Sequence, residues 1–235
     1  MKTLVLGASG ATGRLLVEQL LSHNIHPKIV VRSQSNIGNT INNHIEVVEG
    51  DVDDFSLGQF EELLNDCDSV VSCLGHNISL KGVFGKPRRL VFNAVKKIAM
   101  TLNDSKDVKK FILMSTTAYT DYTHGEKSSV SESLIFSTLR LLMPPHTDNV
   151  LSGDYLFRII GAISKFEWVA VRPDSLFDSS TVSEYEVEGR RKRSPVFDPG
   201  KTSRINVAHF IAELLSDDTK WNEWKYKAPV IYNKD

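Results

Sequence analysis

The sequence has little of what marks secreted, metal-binding or nucleic-acid-binding proteins. Its 235 residues include two cysteines, Cys67 and Cys73, without a paired metal spacing, so we expect two reduced and largely buried thiols. No grouping of His, Cys, Asp or Glu has the spacing of metal ligands, so no metal is expected. A formal net charge of −1 gives no support for broad electrostatic binding to nucleic acid or to a membrane surface.

Long hydrophobic runs are also missing. No apolar stretch reaches the length that spans a bilayer, and Met1 leads straight into an apolar segment rather than into a signal peptide. We therefore expect a cytoplasmic protein that contacts neither membranes nor nucleic acid.

What the sequence does contain is the glycine-rich segment Gly7–Gly13, GASGATG, directly after the apolar residues 4–6. Gly7 permits a tight strand-to-helix turn, Gly10 lets a phosphate approach the backbone, and Gly13 lets helix and strand pack closely. The N–H groups and the positive dipole end of the following helix would face an anion. The spacing predicts a site for a dinucleotide pyrophosphate; the alternative is a glycine-rich turn without a ligand.

Arg32 closes the second apolar run, residues 29–31, about 20 positions after the glycine motif. An acidic side chain there usually bonds the ribose 2′-hydroxyl of NAD, whereas an arginine accommodates the 2′-phosphate of NADP. Asp and Glu are absent from residues 28–40, and Ser33 and Ser35 add hydrogen-bond donors. Since a guanidinium offers a phosphate two parallel charge-assisted bonds, the segment favours NADP over NAD. The alternative is an ordinary exposed arginine at a strand end.

Apolar runs alternate with segments of helical periodicity along most of the chain. The predicted strands are residues 3–6, 28–32, 45–49, 69–73, 110–114 and 168–171. The predicted helices are 11–23, 55–65, 87–103, 130–142, 148–164 and 206–216, with Asp54 or Ser56 capping the second. The alternation predicts an α/β fold, a Rossmann-type doubly wound parallel sheet with helices on both faces.

The length suits a single NAD(P)-binding domain over residues 1–235, with 173–205 and 217–235 forming a small C-terminal lobe on the substrate side. Ligands of such sheets bind beyond the carboxyl ends of the strands, so the residues that follow each strand matter most. The chain is expected to be a monomer or a homodimer. Helices 87–103 and 148–164 could pack across a dimer or cover the sheet.

Six short motifs carry a family resemblance. They are GASGATG at 7–13, VRS at 31–33, GDV at 50–52, CLG at 73–75, MST at 114–116 and VRP at 171–173. Over roughly residues 1–215 the chain resembles the atypical (NmrA-like) branch of the short-chain dehydrogenase/reductase superfamily, which includes biliverdin-IXβ/flavin reductase-like proteins. The glycine motif is specific for the dinucleotide site of that superfamily, and VRP is weaker by itself.

The resemblance implies a role for each matching position. The pyrophosphate would be held by Gly7, Ser9, Gly10, Ala11, Thr12 and Gly13, and the adenosine phosphate by Arg32 with Ser33. The adenine would lie beside Asp51 and Val52, and the nicotinamide-side ribose beside Leu74 and Gly75 with the preceding Cys73. The nicotinamide and the substrate would face Ser115 and Thr116. The structural alternatives are a turn cap for Asp51 and core filling for Leu74.

The chain departs from the wider superfamily at its acid–base pair, Tyr-x-x-x-Lys. Lysine is absent four places after each of Tyr119, Tyr122, Tyr155 and Tyr185. Without a neighbouring cation a phenol keeps a pKa near about 10 and is a poor proton donor at neutral pH. Catalysis would then rest on hydrogen bonds from Ser115, Thr116 and Tyr119, with a proton from solvent; the alternative for these three is strand-end capping.

Three functions therefore remain open. The first is an NADP-dependent reductase that transfers hydride to a small conjugated or carbonyl acceptor, such as a flavin or a quinone. The second is a non-catalytic NADP(H)-binding redox sensor, and the third and weaker is a nucleotide-sugar epimerase. His76, His124 and His146 could supply a proton, but nothing in the sequence orients any of them, so they are expected to be loop residues.

Two basic segments need separate explanations. The cluster Arg190–Arg193 follows Glu184, Glu186 and Glu188 at alternating positions, so we expect an edge strand with a solvated charged face. The alternative is a patch for nucleic acid or an acidic partner. Near a predicted helix start, Lys86, Arg88 and Arg89 could clamp a substrate or cofactor.

Overall fold

The computed structural model describes residues 1–33, 44–76, 85, 87–107 and 109–234. The strands are β1 (Lys2–Leu6), β2 (His26–Val31), β3 (Glu46–Glu49), β4 (Ser69–Ser72), β5 (Lys110–Met114), β6 (Glu167–Pro173), β7 (Ser175–Phe177), β8 (Tyr185–Glu188), β9 (Lys201–Ser203) and β10 (Val230–Asn233). The α-helices are α1 (Ala11–Ser22), α2 (Leu57–Leu64), α3 (Leu90–Asp104), α4 (Val130–Leu142), α5 (Pro144–Asp154), α6 (Arg204–Ser216) and α7 (Asp218–Trp224). Among the described residues, none of the helices has the length and apolar character needed to cross a lipid bilayer.

Eight strands form one sheet in the order β3-β2-β1-β4-β5-β6-β10-β8. Neighbouring strands run parallel, except that β8 lies antiparallel to β10. The chain moves outward from β1 to β3 and then crosses to β4 on the other side of β1, which creates the switch point where ligands bind in such sheets. The predicted Rossmann-type fold is confirmed.

The predicted C-terminal lobe contributes to two sheets. Residues 175–177 and 201–203 pair as β7 and β9 in a separate two-stranded sheet. Residues 185–188 and 230–233 instead extend the main sheet as β8 and β10. The division into a domain and a lobe stays a prediction.

Helices cover both faces of the sheet, which is why its central strands are apolar along most of their length. Leu4 and Leu6 of β1 point into the core that α2, α3 and α5 cover. Val5 points into the opposite core, where Leu16 of α1 meets Ile211 of α6. Each fully buried side chain of this kind contributes roughly 1.5–3 kcal/mol. This packing fixes the strand ends that carry the functional residues.

The predicted helix over 148–164 begins too late and is not one regular α-helix, because its last part is a π-helical turn followed by a 3₁₀ turn over Gly161–Ile163. α5 begins earlier, at Pro144 and Pro145, which fit a first helical turn because its N–H groups have no helical partner. A wider π-helical turn continues over Tyr155–Ile160. It ends at Gly161, whose φ of 59° is the left-handed region that glycine tolerates. Trp168 Nε1 donates to the Gly161 carbonyl oxygen at 2.9 Å and holds that end in place.

Candidate functional site

A cleft of about 210 Å³ opens at the carboxyl ends of β1, β2, β3 and β4. Most residues that the sequence assigned to a cofactor line it together. The lining residues are Gly7, Ser9, Gly10, Val30, Val31, Arg32, Gly50, Asp51, Val52, Cys73, Leu74, Gly75, His76, Pro87 and Leu90. Ala11, Thr12, Gly13 and Ser33 are absent from that wall; the first three form the opening turn of α1.

The turn after β1 requires glycine at two of its three glycine positions. Gly7 has a φ of 81°, and a Cβ added there would lie 2.7 Å from the carbonyl carbon of Cys73. A Cβ added to Gly13 would lie 2.1 Å from the Gly7 oxygen, which no side chain can accommodate without a backbone shift. Gly10 N donates to that same oxygen at 3.0 Å and closes the turn. The close packing predicted for Gly13 is therefore present.

The amino end of α1 is left open. Gly10 is its N-cap and supplies no side-chain hydrogen bond, and the first turn carries no acidic residue. Ser9, Gly10 and Ala11 are exposed, whereas Thr12 is buried. The N–H groups and the partial positive charge of a helix start are thus uncovered beside the cleft, an arrangement that suits an anionic group.

Arg32 follows β2 directly, is exposed, and lines the same cleft. Asp51 lies opposite, where Gly50 N donates to the Val31 oxygen at 2.9 Å and draws the two strand ends together. Asp51 also caps its own turn, because its Oδ1 accepts from Asp53 N at 3.1 Å. The cap that the sequence left as an alternative is present, and it leaves Asp51 in the wall of the cleft. Ser35 lies outside the described residues.

The residues after β4 form the far wall of the cleft. Cys73 is a buried free thiol, and burial raises its pKa to about 12, so it presents a neutral group and not a nucleophile. Leu74 packs against the core, as in the core-filling alternative, and also lines the cleft. The wall is therefore neutral and partly apolar on this side.

His76 shows an orientation that the sequence did not reveal. Its Nε2 lies 2.8 Å from Oδ2 of Asp148, a fully buried residue 72 positions away on α5. The same carboxylate accepts from Val91 N and Phe92 N, each at 2.9 Å, and so caps the start of α3. No local pattern links these residues, so sequence reasoning had no signal by which to find the pair.

Ser115 and Thr116 follow β5, the strand next to β4 in the sheet. Ser115 is buried, its backbone N donates to the Val171 oxygen at 2.7 Å, and its Oγ has no hydrogen-bond partner within the part of the chain that the structure describes. Thr116 Oγ1 accepts from Ala118 N at 3.2 Å and caps a turn. Burying a hydroxyl without a hydrogen-bond partner costs free energy, unless a bound molecule supplies the partner.

The predicted position of Tyr119 at the cofactor edge needs correction. Its ring is buried, stacks on Phe157 with centroids 5.4 Å apart, and touches the α5 backbone at Gly153. Burial raises the pKa of the Tyr119 phenol above its usual value. Its side chain lines a smaller pocket with Arg140 and His146, away from the cleft. The π-helical turn that carries Phe157 causes this placement.

The predicted edge strand with alternating glutamates is present as β8, and Arg190, Lys192 and Arg193 of the basic cluster after it are exposed as expected, whereas the Arg191 side chain is turned inward. Arg172 is fully buried and binds both carboxylate oxygens of Glu126 at 2.8 Å. Arg191 is also buried: its backbone N donates to Glu126 at 2.8 Å and its guanidinium to the Thr117 oxygen at 3.2 Å. Burial opposes ionisation of Glu126, yet the bonds from Arg172 outweigh it and lower its pKa. The three charges tie the loop after β5 to the loop after β8.

The remaining basic candidates lie at the mouth of the cleft or cannot be placed. Arg88 and Arg89 line an open hollow with Asp53 and Asn93, just before α3. Lys86 lies outside the described residues. Across residues 1–33, 44–76, 85, 87–107 and 109–234, no three His, Cys, Asp or Glu side chains come together in a way that could hold a metal ion.

Solved structures with the same fold come from several bacteria. A proposed NADH-flavin reductase from Streptococcus pneumoniae has a TM-score of 0.73 at 16% identity, with 100% of both chains covered. A short-chain dehydrogenase/reductase from Veillonella parvula, in complex with NADP, has a TM-score of 0.70 at 16% identity over 99% of this chain and 94% of that chain. ChuY, an anaerobillin reductase from Escherichia coli O157:H7, has a TM-score of 0.69 at 16% identity over 100% and 98%.

At these identities the likeness establishes the shared fold alone. No protein with a curated description matches the sequence. The family model described as NAD(P)H-binding matches residues 7–218, nearly the whole chain. The chain therefore belongs to the NAD(P)H-binding family, a finding that agrees with the resemblance drawn from its motifs.

Proposed function

We propose that this protein is an NADPH-dependent reductase that passes a hydride to a small conjugated or carbonyl acceptor, such as a flavin or a quinone. The observation that carries the proposal is one continuous cleft. It joins Gly7, Ser9 and Gly10 of the bare turn to exposed Arg32 and to the end of β4.

The residues of this cleft fit a dinucleotide. Gly10 is exposed and has no side chain to fill the space above the turn, and the start of α1 offers uncapped N–H groups to the pyrophosphate. Arg32 would bind the 2′-phosphate through paired charge-assisted bonds, with Ser33 beside it in the chain. Asp51 and Val52 would lie beside the adenine. Such an arrangement supports NADPH over NADH.

Sheet order supports one direction for the bound cofactor. From β2 through β1 to β4 and β5, the strand ends carry Arg32, the glycine turn, Leu74 with Gly75, and Ser115. The nicotinamide would lie toward β4 and β5, and when bound it supplies a hydride. Ser115 Oγ would donate a hydrogen bond on that side, and Thr116 would fix the turn beneath it. Tyr119 has no part in this proposal because its side chain packs elsewhere.

The acceptor class follows from what these residues lack. No Tyr-x-x-x-Lys pair is available, so an acceptor whose reduced anion is delocalised suits the site better than an isolated ketone. An NADH-flavin reductase and an anaerobillin reductase are among the proteins that share the fold, and both names describe conjugated acceptors. Epimerase chemistry, which relies on the absent pair in the wider superfamily, is the weakest candidate.

The test combines turnover with nucleotide preference. Purified protein is assayed with NADPH and NADH against flavins, quinones, linear tetrapyrroles and aldehydes, and dissociation constants are measured by calorimetry. Arg32→Glu is expected to lower the affinity for NADP relative to NAD by roughly 10- to 100-fold. Arg193→Glu makes the same charge change outside the cleft and serves as the control. An unchanged affinity ratio in Arg32→Glu would refute the 2′-phosphate assignment.

A second candidate is a non-catalytic NADP(H)-binding sensor. It is favoured by the same lack of an acid–base pair among Ser115, Thr116 and Tyr119. Its signature would be tight nucleotide binding with different affinities for NADP+ and NADPH, and no turnover with any acceptor of the panel. Saturable NADPH oxidation would exclude it.

We further propose a cytoplasmic monomer or homodimer whose partner is the small-molecule acceptor, without nucleic acid or membrane. One predicted dimer helix, α3, is occupied by the sheet, since Val95 and Ile98 of its apolar face are fully buried. Exposed apolar side chains occur instead on α4, where Leu134 is 70% and Leu141 is 84% exposed. Light scattering after gel filtration separates monomer from dimer.

A further inference from the structure

We propose that His76, oriented by Asp148, donates the proton that accompanies the hydride in the reduction. This inference rests on the proposed reductase function and names the acid that the missing Tyr-x-x-x-Lys pair would otherwise provide. His76 would be the catalytic residue and Asp148 a positioning residue that acts through it.

The hydrogen bonds fix which nitrogen of His76 carries a proton. Asp148 Oδ1 accepts from Phe92 N, its Oδ2 accepts from Val91 N, and His76 Nε2 lies 2.8 Å from that same Oδ2. Backbone N–H groups only donate, so the buried carboxyl acts as an acceptor at both of its oxygens. Neutral His76 must therefore carry its hydrogen on Nε2. Nδ1 is the ring nitrogen that is not bound to Asp148, and it gains a proton when the ring is charged.

The position of His76 agrees with a role beside the nicotinamide. It lines the cleft after β4, on the opposite side of β1 from Arg32. If the 2′-phosphate lies at Arg32 and the pyrophosphate at the turn after β1, the reacting ring lies toward β4 and β5. The His76 side chain is 6% exposed, so bulk water has little access to it. The part of the ring that remains accessible therefore belongs to a residue of the cleft wall.

The chemistry requires such a group. Hydride transfer gives the acceptor two electrons and one hydrogen, and it leaves the product anionic until a proton arrives. In the proposed step the hydride forms one bond to hydrogen at the acceptor as a C–H bond of the dihydronicotinamide breaks, and an O–H or N–H bond forms at the resulting anionic atom as the Nδ1–H bond of the charged imidazole breaks. NADPH is oxidised to NADP+, the acceptor is reduced, and solvent returns a proton to His76. Imidazole is suited to this exchange because one ring nitrogen can release a proton while the other stays hydrogen-bonded to the carboxylate.

The chain contains a second His–Asp pair that serves as a matched control. His124 Nδ1 lies 2.7 Å from Oδ2 of the buried Asp121, a geometry close to that of His76 with Asp148. The His124 side chain is 43% exposed and does not line the cleft. A His–Asp pair by itself thus has no link to the proposed reaction, and the location of His76 makes the difference.

The decisive variant is His76→Gln, whose amide can still donate to Asp148 but cannot transfer a proton. We expect kcat to fall roughly 100- to 10,000-fold, while the dissociation constant of NADPH changes by less than about twofold. His124→Gln should leave both values unchanged. If His76→Gln keeps kcat within about threefold of the native protein, the proton-donor role is overturned although the reductase function stands. If none of the acceptors in the panel supports NADPH oxidation by the native protein, the reductase function itself fails.

A second readout does not depend on turnover. Nitrogen-15 NMR of the native protein with NADP+ should show neutral His76 with its hydrogen on Nε2. Asp148→Asn, which weakens the acceptor, should shift His76 toward the other tautomer and lower kcat more than it raises KM. A hydrogen on Nδ1 in the native protein would overturn the orientation. Thermal melting of each variant checks that the cap of α3 is kept.

Discussion

The nucleotide-side turn and the acceptor-side loops of the cleft are held together in different ways. In the turn after β1, Gly10 bonds to Gly7 and Gly13 packs against it, all within seven residues of sequence. On the other side, the contacts of His76 with Asp148 and of Glu126 with Arg172 join positions 72 and 46 residues apart. Local contacts leave a spacing that a sequence reveals, whereas long-range contacts leave none.

The helices that follow these two regions differ in the same way. α1 buries Leu16, Val17 and Leu20 against the sheet and α6. α4 buries a single residue, Glu132, and leaves most of its apolar side chains exposed. A helix with few buried apolar contacts opens at low free-energy cost. The acceptor side is therefore held in place by a few polar contacts, whereas the nucleotide side is held by a hydrophobic core.

The largest effect is expected from the buried charges of the acceptor side. Glu126→Ala leaves Arg172 and Arg191 without their carboxylate, and an unpaired buried charge costs about 3–5 kcal/mol of the free energy of unfolding. The exposed pair of Arg193 with Asp198 is the matched comparison, because Asp198→Ala should cost less than about 1 kcal/mol. Urea unfolding of both variants measures the contrast. Equal losses would mean that the buried network does not hold the loops.

An intermediate effect is expected on the nucleotide side. Gly13→Ala forces a Cβ to within 2.1 Å of the Gly7 oxygen and should cost roughly 1–3 kcal/mol through backbone shifts. It should also weaken NADPH binding by about tenfold or more, because the turn that cradles the pyrophosphate moves. Gly58→Ala in α2 is the control, since its Cβ would meet nothing within 4 Å. Calorimetry with NADPH that shows equal affinity for both variants would contradict the assigned turn.

The same contrast explains how far the sequence could predict the molecule. The parallel sheet, the glycine turn and the position of Arg32 after the second strand follow from local spacing and apolar runs, and the structure contains all three. Tyr119 was misplaced because its burial depends on Phe157, which a π-helical turn delivers from the far end of α5. Arg191 was misjudged because its partner Glu126 lies 65 positions earlier in the chain. Charged side chains that look solvated in sequence can be buried by such distant partners.

The smallest effect concerns the attachment of α4. Glu132 accepts from Ser129 N and from Ser194 Oγ, and the bond from Ser194 is the main cause of its lowered pKa. A carboxyl whose pKa is lower in the folded state stabilises the fold fully above its unfolded pKa of about 4.3, and this contribution is lost as pH falls through the folded value.

Glu132→Gln keeps the helix cap but removes this titration. It should cost less than about 1 kcal/mol at pH 7, and its difference from the native protein should be smaller at about pH 3 than at pH 7. Urea unfolding at both pH values measures the two differences. A difference that is the same at both values would mean that α4 is held by its neutral contacts and not by the carboxylate, and the acceptor side would then resemble the nucleotide side more closely than its burial suggests.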